Sequence, residues 1–309
     1  MHTRRLGSSD LLVSVVGLGC NNFGSRTDEA TSRAVVDAAL AAGITFFDTA
    51  ESYGGGDSER FLGRSLVGYR DQVVIATKFG GRREGSTPPP GSRDYIRAAI
   101  AGSLERLGTD YVDLYQYHRP DGVTPIEETL GALDELVRAG KVRHVGSSNF
   151  SAEQVREADI AARELGLAPF VSAQNEYSWL AREAEHDLVP ALEELRLALI
   201  PYMPLARGLL AGKVRRGQPP PAGTRLADQG FGIAGGRDVE ERDWDRLEAL
   251  HVFAGAHGRS LLDVAIGGLA AMRPVASVIA GATSPEQVRA NATAGEWEPS
   301  PAELAELRG

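Results

Sequence analysis

Cysteine is nearly absent from the 309-residue chain: Cys20 is the only one. That excludes an intrachain disulfide framework and a cysteine-rich zinc site. No apolar run of about 18 residues occurs, so no segment reads as a membrane span. The opening Met1-His2-Thr3-Arg4-Arg5-Leu6-Gly7 lacks the apolar core of a signal peptide, and the expected location is the cytoplasm. Basic excess is also missing. Lys and Arg number 33 against 42 Asp and Glu, a formal net charge of −9. This disfavours a broad nucleic-acid or anionic-membrane surface but leaves room for a local phosphate site. The six histidines include no His-x-His and no His-x-x-x-His, so no metal site is readable. No Gly-x-Gly-x-x-Gly opens a helix either. The nearest stretch, Gly17-Leu18-Gly19-Cys20-Asn21-Asn22-Phe23-Gly24, places its third glycine too late.

What is present is a globular composition, 42% hydrophobic and 24% charged. A chain of this length buries about three quarters of its unfolded surface and needs no covalent staple. Short apolar or β-branched runs recur at 14–18, 44–47, 73–76, 112–117, 142–145, 170–173, 198–201 and 277–280. They are too short for helices and nearly continuous in apolar character, as strands buried on both faces should be. Segments of helical periodicity lie between them at 28–42, 93–107, 126–139, 152–165, 183–195 and 256–271. Three of these open on a capping residue and close on glycine: Asp28 to Gly43, Ser92 to Gly108 and Ser151 to Gly166.

Strands alternating with helices imply a parallel sheet, and eight is the number at which such a sheet closes on itself. The expected fold is α/β: an eight-stranded parallel (β/α)8 TIM barrel, as a single domain over 1–309. An open doubly wound sheet is the alternative. Residues 1–13 are expected to form an N-terminal cap. Two glycine- and proline-rich loops, 80–91 after strand 3 and 206–238 after strand 7, fall at the C-terminal face, where barrel active sites are built.

Polar residues at the strand C-termini are Asn21, Asp48, Lys78, His118, Ser148, Asn149, Gln174 and Tyr202, with Tyr53 five residues beyond Asp48. A barrel brings all of them to one mouth. Their chemistry is coherent. A tyrosine hydroxyl with a reference pKa near 10 exchanges protons poorly at neutral pH, and a nearby ammonium favours its phenolate. A carboxylate keeps a buried lysine charged, and a histidine donates a hydrogen bond to a substrate carbonyl oxygen. Such a set protonates an oxygen while another species attacks its carbon. With no nucleophile or metal motif in view, a nicotinamide cofactor is the expected hydride source.

The motifs Arg5-Leu6-Gly7-Ser8-Ser9, Gly17-Leu18-Gly19-Cys20, Phe47-Asp48-Thr49-Ala50-Glu51-Ser52-Tyr53-Gly54 and Ala76-Thr77-Lys78-Phe79 follow one another in order. Asp113-Leu114-Tyr115-Gln116-Tyr117-His118, Gly146-Ser147-Ser148-Asn149-Phe150 and Gln174-Asn175-Glu176-Tyr177 come next. In order, spacing and residue type the chain resembles an aldo-keto reductase over nearly its full length. The resemblance implies an eight-stranded barrel that reduces aldehydes and ketones with NADPH. It implies a catalytic tetrad of Asp48, Tyr53, Lys78 and His118, with Tyr53 as proton donor. By the same resemblance Ser148, Asn149 and Gln174 hold the nicotinamide amide, and Tyr202 stacks on the ring. Gly19, Cys20 and Asn21 also contact the cofactor. Pro204, Leu205, Arg207 and Leu209 lie in the segment over the pyrophosphate, and Lys213 and Arg225 are candidates for the 2′-phosphate. Gly281, Thr283, Gln287 and Asn291 complete the adenine end. Two departures from the family pattern occur: Thr283 and Gln287 replace the usual cations, and Ala290 replaces a glutamate before Asn291. NADP(H) is therefore the expected cofactor on the strength of Lys213 and Arg225, with NAD(H) the alternative.

The expected substrate pocket is Asn22, Phe23, Phe79 and Arg119. Its aromatic content suggests hydrophobic aldehydes or ketones. Arg119 suits an anionic group, or alternatively points away to pair with a helix carboxylate. A second function class stays open, a cofactor-binding regulator resembling potassium-channel β subunits. A barrel hydrolase lacks the metal ligands it would need. The expected partner is a small-molecule carbonyl compound, with no nucleic acid and no membrane, in a monomer or homo-oligomer.

Overall fold

The computed structural model describes residues 1–81, 87–219, 222, 226–227 and 238–309. Its main sheet has eight strands, all parallel: β3 (Val16–Gly19), β4 (Phe46–Asp48), β5 (Val74–Phe79), β6 (Val112–Tyr117), β7 (Val142–Ser148), β8 (Phe170–Glu176), β9 (Ala198–Tyr202) and β10 (Val278–Gly281). Sequential strands are neighbours, and β10 lies beside β3. The seam between β9 and β10 is closed by a parallel bridge from Leu199 to Val275. There Leu199 N–H donates to the Pro274 carbonyl and Ala276 N–H to the Leu199 carbonyl, each at 3.0 Å. The sheet is thus a (β/α)8 barrel, as the eight apolar runs imply. Strands β5 and β6 are buried along their whole length, which explains why their sequences do not alternate.

The first expected run, 14–18, is two strands rather than one. β1 (Thr3–Arg5) and β2 (Leu12–Ser14) form an antiparallel hairpin, and β3 starts only after Val15. The Ser14 hydroxyl makes the break: it donates to the Val16 carbonyl at 2.7 Å and accepts from Thr45 N–H at 3.0 Å. The hairpin plugs the N-terminal mouth of the barrel. Leu6, Leu11 and Val13 share a core with the barrel-lining Phe46, Ala76, Leu114 and Ile200. Gly7 turns the hairpin at φ +56, and a Cβ there would lie 2.1 Å from the Val171 carbonyl oxygen. Only the C-terminal mouth is left for chemistry.

The capping signals hold. α1 (Glu29–Ala41) begins at Asp28, whose carboxylate accepts from Thr31 N–H at 2.8 Å. α3 (Arg93–Leu107) begins at Ser92, and α5 (Ala152–Leu165) at a reciprocal Ser151–Gln154 box. Gly108 and Gly166 end those two helices in the left-handed region. Other boundaries move. α4 spans Ile126–Arg138. The helix expected over 183–195 is a short 3-10 turn (Glu183–Glu185) followed by α6 (Leu188–Leu195). The helix expected over 256–271 is displaced, because Gly258 (φ +62) separates α7 (Glu241–Ala256) from α8 (Leu261–Asp263), which runs into a π turn at Val264–Gly268. α2 (Asp57–Ser65), α7 and the two last helices have no counterpart in the sequence-based expectation. α9 (Pro285–Ala294) and α10 (Pro301–Arg308) complete the chain.

α2 is fastened by a buried charge. Glu59 has no exposed surface, and its carboxylate accepts from Arg106 Nε of α3 at 2.6 Å and from the Thr77 hydroxyl of β5 at 2.5 Å. Removing the cation strands that carboxylate in the interior, which costs several kcal/mol. Arg106→Met is expected to destabilise the fold by about 3 kcal/mol in urea-induced unfolding, and Arg106→Lys by less. A loss under about 1 kcal/mol for Arg106→Met would contradict the reading that this pair fastens the helix.

Candidate active site

Parallel register builds the site. Asp48 ends β4, and Lys78 stands one residue before the end of the adjacent β5, opposite Gln116 of β6. Ser148 ends β7 opposite Gln174 of β8, and Glu176 ends β8 opposite Tyr202, the last residue of β9. Tyr53 opens a 3-10 turn, Tyr53–Gly56, that returns toward the mouth. The three glycines of that turn all have positive φ, and a Cβ on Gly54 would lie 2.5 Å from the Phe23 carbonyl oxygen. The run Tyr53-Gly54-Gly55-Gly56 is therefore the requirement of a close backbone approach that carries the tyrosine into place.

Lys78 has no exposed surface, and its ammonium donates to Asp48 Oδ2 at 2.6 Å and to the Thr49 carbonyl at 3.0 Å. It reaches the Tyr53 hydroxyl at 3.5 Å. Burial opposes the charge, yet Asp48 and Tyr53 together raise the Lys78 pKa above its ordinary value, so the group is an ammonium at neutral pH. The other Asp48 oxygen accepts from Gln174 Nε2 at 2.7 Å and Gln116 Nε2 at 3.2 Å. Tyr53 departs from the sequence-based expectation of a lowered pKa. Burial raises it, Asp48 adds to the rise, and the opposing pull of Lys78 is too weak to reverse them. The phenol therefore stays protonated. Its ring meets His118 edge-on at 5.8 Å between centroids. Burial, with Lys78 and Arg119 nearby, pushes the His118 imidazole down to about 3, which keeps it neutral.

A second cluster flanks this one. Asn149 adopts φ 60, and its side chain donates to the His118 carbonyl at 2.9 Å and to the Ser148 hydroxyl at 3.1 Å. The Tyr202 hydroxyl donates to Asn149 Oδ1 at 2.7 Å. At the far end of β8, burial pushes the Glu176 carboxyl up to about 7, with Arg207 and Arg119 opposing the rise and Glu183 adding to it.

Asp48, Tyr53, His118, Asn149 and Tyr202 open on one cavity of about 610 Å³, within the size range of small-molecule sites. Of the expected residues, Gly19, Asn21, Asn22, Asp48, Tyr53, His118, Arg119, Ser148, Asn149, Gln174 and Tyr202 line it. Pro204, Leu205, Arg207, Lys213, Gly281, Thr283, Gln287 and Asn291 continue the wall, and Ala290 is part of it too. Near α9 the Thr283 amide donates to Gln287 Oε1 at 2.8 Å. Arg225 lies outside the described residues, as do 82–86 of the first long loop and most of 220–237 of the second.

Lys78 stands behind Asp48 and Tyr53 rather than on the wall, and four other expected residues are also not on it. Phe79 is wholly buried and stacks on Tyr117 at 4.8 Å, and Phe23 is wholly buried in the same core. Alternation along the strand explains Phe79: Lys78 faces the barrel interior, so its neighbour faces the helices. The hydrophobic-substrate expectation rested on these two rings and loses its support. Cys20 is also fully buried. Its backbone braces the site, with Cys20 N–H donating to the Asp48 carbonyl at 2.8 Å. Leu209 packs in the core. Arg119 is exposed on the cavity and makes no ion pair among the described residues, so pairing with a helix carboxylate is not its role here. Sequence reasoning overlooked Gln116, although a glutamine inside the apolar strand Val112–Tyr117 is itself a signal that it has a buried partner. Among the described residues no group of three His, Cys, Asp or Glu could hold a metal ion, and no helix is long and apolar enough to cross a membrane.

Comparison with known proteins agrees with this geometry. Residues 15–309 match the family model described as Aldo/keto reductase family. A rice protein named probable voltage-gated potassium channel subunit beta (Oryza sativa subsp. japonica) is 34% identical over 296 residues, covering 94% of this chain and 90% of its own. The uncharacterized oxidoreductase YrpG of Bacillus subtilis (strain 168) is 36% identical over 299 residues, covering 92% and 88%. The probable aldo-keto reductase 1 of Glycine max is 38% identical over 216 residues, covering 68% and 61%. With its barrel closed at one end and this polar cluster at the other, the chain belongs to the aldo/keto reductase family, whose members generally use nicotinamide cofactors.

Proposed function

We propose that this protein reduces an aldehyde or ketone to an alcohol with NADPH, and that Tyr53 supplies the proton. The observation that carries the proposal is the chain Asp48–Lys78–Tyr53, with contacts of 2.6 and 3.5 Å, opening on the cavity. A hydroxyl, two amides and an aromatic ring (Ser148, Asn149, Gln174 and Tyr202) form a donor and acceptor set that fits a nicotinamide carboxamide and its ring. Lys213 is exposed on the same wall without an ion pair among the described residues, which suits a 2′-phosphate, and Arg225 is its candidate partner. A reduced nicotinamide held there would supply hydride to the carbonyl carbon.

The chain's own residues do the rest. Tyr53, protonated at neutral pH, donates to the carbonyl oxygen as negative charge develops on it. Lys78 stabilises the phenolate left behind, and Asp48 keeps the buried Lys78 charged. Neutral His118 stands edge-on to Tyr53, on the same cavity wall, where it polarises the carbonyl without competing as a proton source. Asn149, fixed by Tyr202, holds its amide ready for the cofactor. The likeness to a channel β subunit favours one alternative, a cofactor-binding regulator with little turnover.

Three outcomes are expected. NADPH oxidation with 4-nitrobenzaldehyde falls about 1000-fold in Tyr53→Phe, while the Kd for NADPH changes less than about twofold. Turnover that survives in the variant would mean the acid is another residue, and absence of turnover in both proteins despite tight NADPH binding would favour the regulator. Lys213→Ala and Arg225→Ala each raise the Kd for NADPH about tenfold and leave that for NADH nearly unchanged; equal losses for both cofactors would refute the 2′-phosphate assignment. The pH profile of kcat/KM for this neutral aldehyde is flat from about 6 to about 9. The active form of Tyr53 is lost only as pH rises through a pKa above its ordinary value, and that of His118 only as pH falls toward about 3. A sigmoidal limb near neutrality would contradict those assignments.

A further inference from the structure

Two guanidiniums on the cavity wall take no part in the proton and hydride transfer above, although the resemblance sets Arg207 in the segment over the pyrophosphate. Arg119 follows His118 directly at the end of β6, and Arg207 lies in the 3-10 turn Ala206–Ala211 after β9. Neither forms an ion pair among the described residues, and Arg207 Nε is buried without a hydrogen-bond partner. The backbone around Arg207 is strained to hold it there: Met203, Ala206 and Arg207 have φ of 54, 43 and 57. Left-handed backbone costs a non-glycine residue about 1 kcal/mol or more, and such strain persists where the surroundings over-determine it, commonly at ligand sites.

Glu176 lies within electrostatic reach of both arginines, and its raised pKa leaves it largely uncommitted as a counter-ion. The groups acting on it are Arg119 at the end of β6, Arg207 after β9 and Glu183 before α6, and Tyr202 stands opposite it in the strand register. The result is a local positive field beside the reacting groups, in a chain of net charge −9. Arg119 also acts electrostatically on His118 and Tyr202, which places it at the reacting end of the cavity. Guanidinium forks pair well with carboxylate and phosphate oxygens.

We propose that Arg119 and Arg207 seat an anionic group of the substrate, so that the carbonyl compound carries a carboxylate or a phosphate. The inference rests on the carbonyl-reduction reading and adds the substrate class to it. It also replaces the hydrophobic expectation that Phe23 and Phe79 had suggested.

The test compares 4-carboxybenzaldehyde and 4-formylphenyl phosphate with neutral 4-nitrobenzaldehyde. In the wild type at least one anionic aldehyde is expected to exceed the neutral one in kcat/KM by about tenfold or more, and which one does so separates carboxylate from phosphate. Arg119→Met and Arg207→Met each lower that ratio about tenfold, chiefly through KM. A wild-type ratio near one, or variants that slow neutral and anionic substrates equally, would overturn the proposal, because a structural or cofactor role acts on both alike. If no aldehyde turns over, the reduction reading fails, and the seat is decided by calorimetric titration of terephthalate into the protein with NADP⁺. Terephthalate binding that weakens about tenfold in either arginine variant supports the seat, and absent or unaffected binding overturns it.

Discussion

An ammonium with no exposed surface is tolerable only beside a carboxylate held just as firmly, and the Lys78–Asp48 pair meets that condition at 2.6 Å. The rest of the site depends on this pair. Asp48 is pinned from β6 by Gln116 and from β8 by Gln174, so three strands besides its own must be in register for the pair to form. Lys78 in turn sets the charge that Tyr53 feels. Barrel closure is thus a chemical requirement as well as a structural one: a shift of one residue in β5 would send Lys78 to the helix side and Phe79 to the mouth.

The same economy governs the two ends of the barrel. A hairpin whose turn tolerates no side chain at Gly7 fills the N-terminal mouth, and the polar groups gather at the other. Four left-handed residues, Asn149, Met203, Ala206 and Arg207, stand at or beside the cavity, while Arg196 caps the end of α6. Burial decides proton occupancy there. It holds Tyr53 protonated and His118 neutral, and it leaves Glu176 poised near neutrality. In this reading an acid and a neutral hydrogen-bonding partner come from two side chains in one low-dielectric mouth.

Much of this was legible in the residues. The eight apolar runs marked every barrel strand because a parallel strand buried on both faces cannot alternate, and Asp48, Lys78, His118 and Gln174 stood out as polar residues at the ends of such runs. Asp28, Ser92 and Ser151 announced helix starts through local hydrogen bonds that need no tertiary context. What stayed hidden depends on such context. Whether Phe79 faces the mouth or the helices turns on register, which a short apolar run does not reveal. α2 is held by Glu59 against Arg106 and Thr77, partners 47 and 18 residues away. The direction of the Tyr53 shift depends on how burial weighs against one lysine, and spacing says nothing of burial.

The central claim is that this mouth would hold a reduced nicotinamide in a single orientation, with Tyr53 as the proton donor to the carbonyl oxygen. Single turnover with NADPH deuterated stereospecifically at C4 of the nicotinamide, one epimer at a time, tests it most directly. The account predicts that the alcohol formed from 4-carboxybenzaldehyde carries deuterium on the former carbonyl carbon with one epimer and none with the other. Deuterium from both epimers, or from neither, would contradict it.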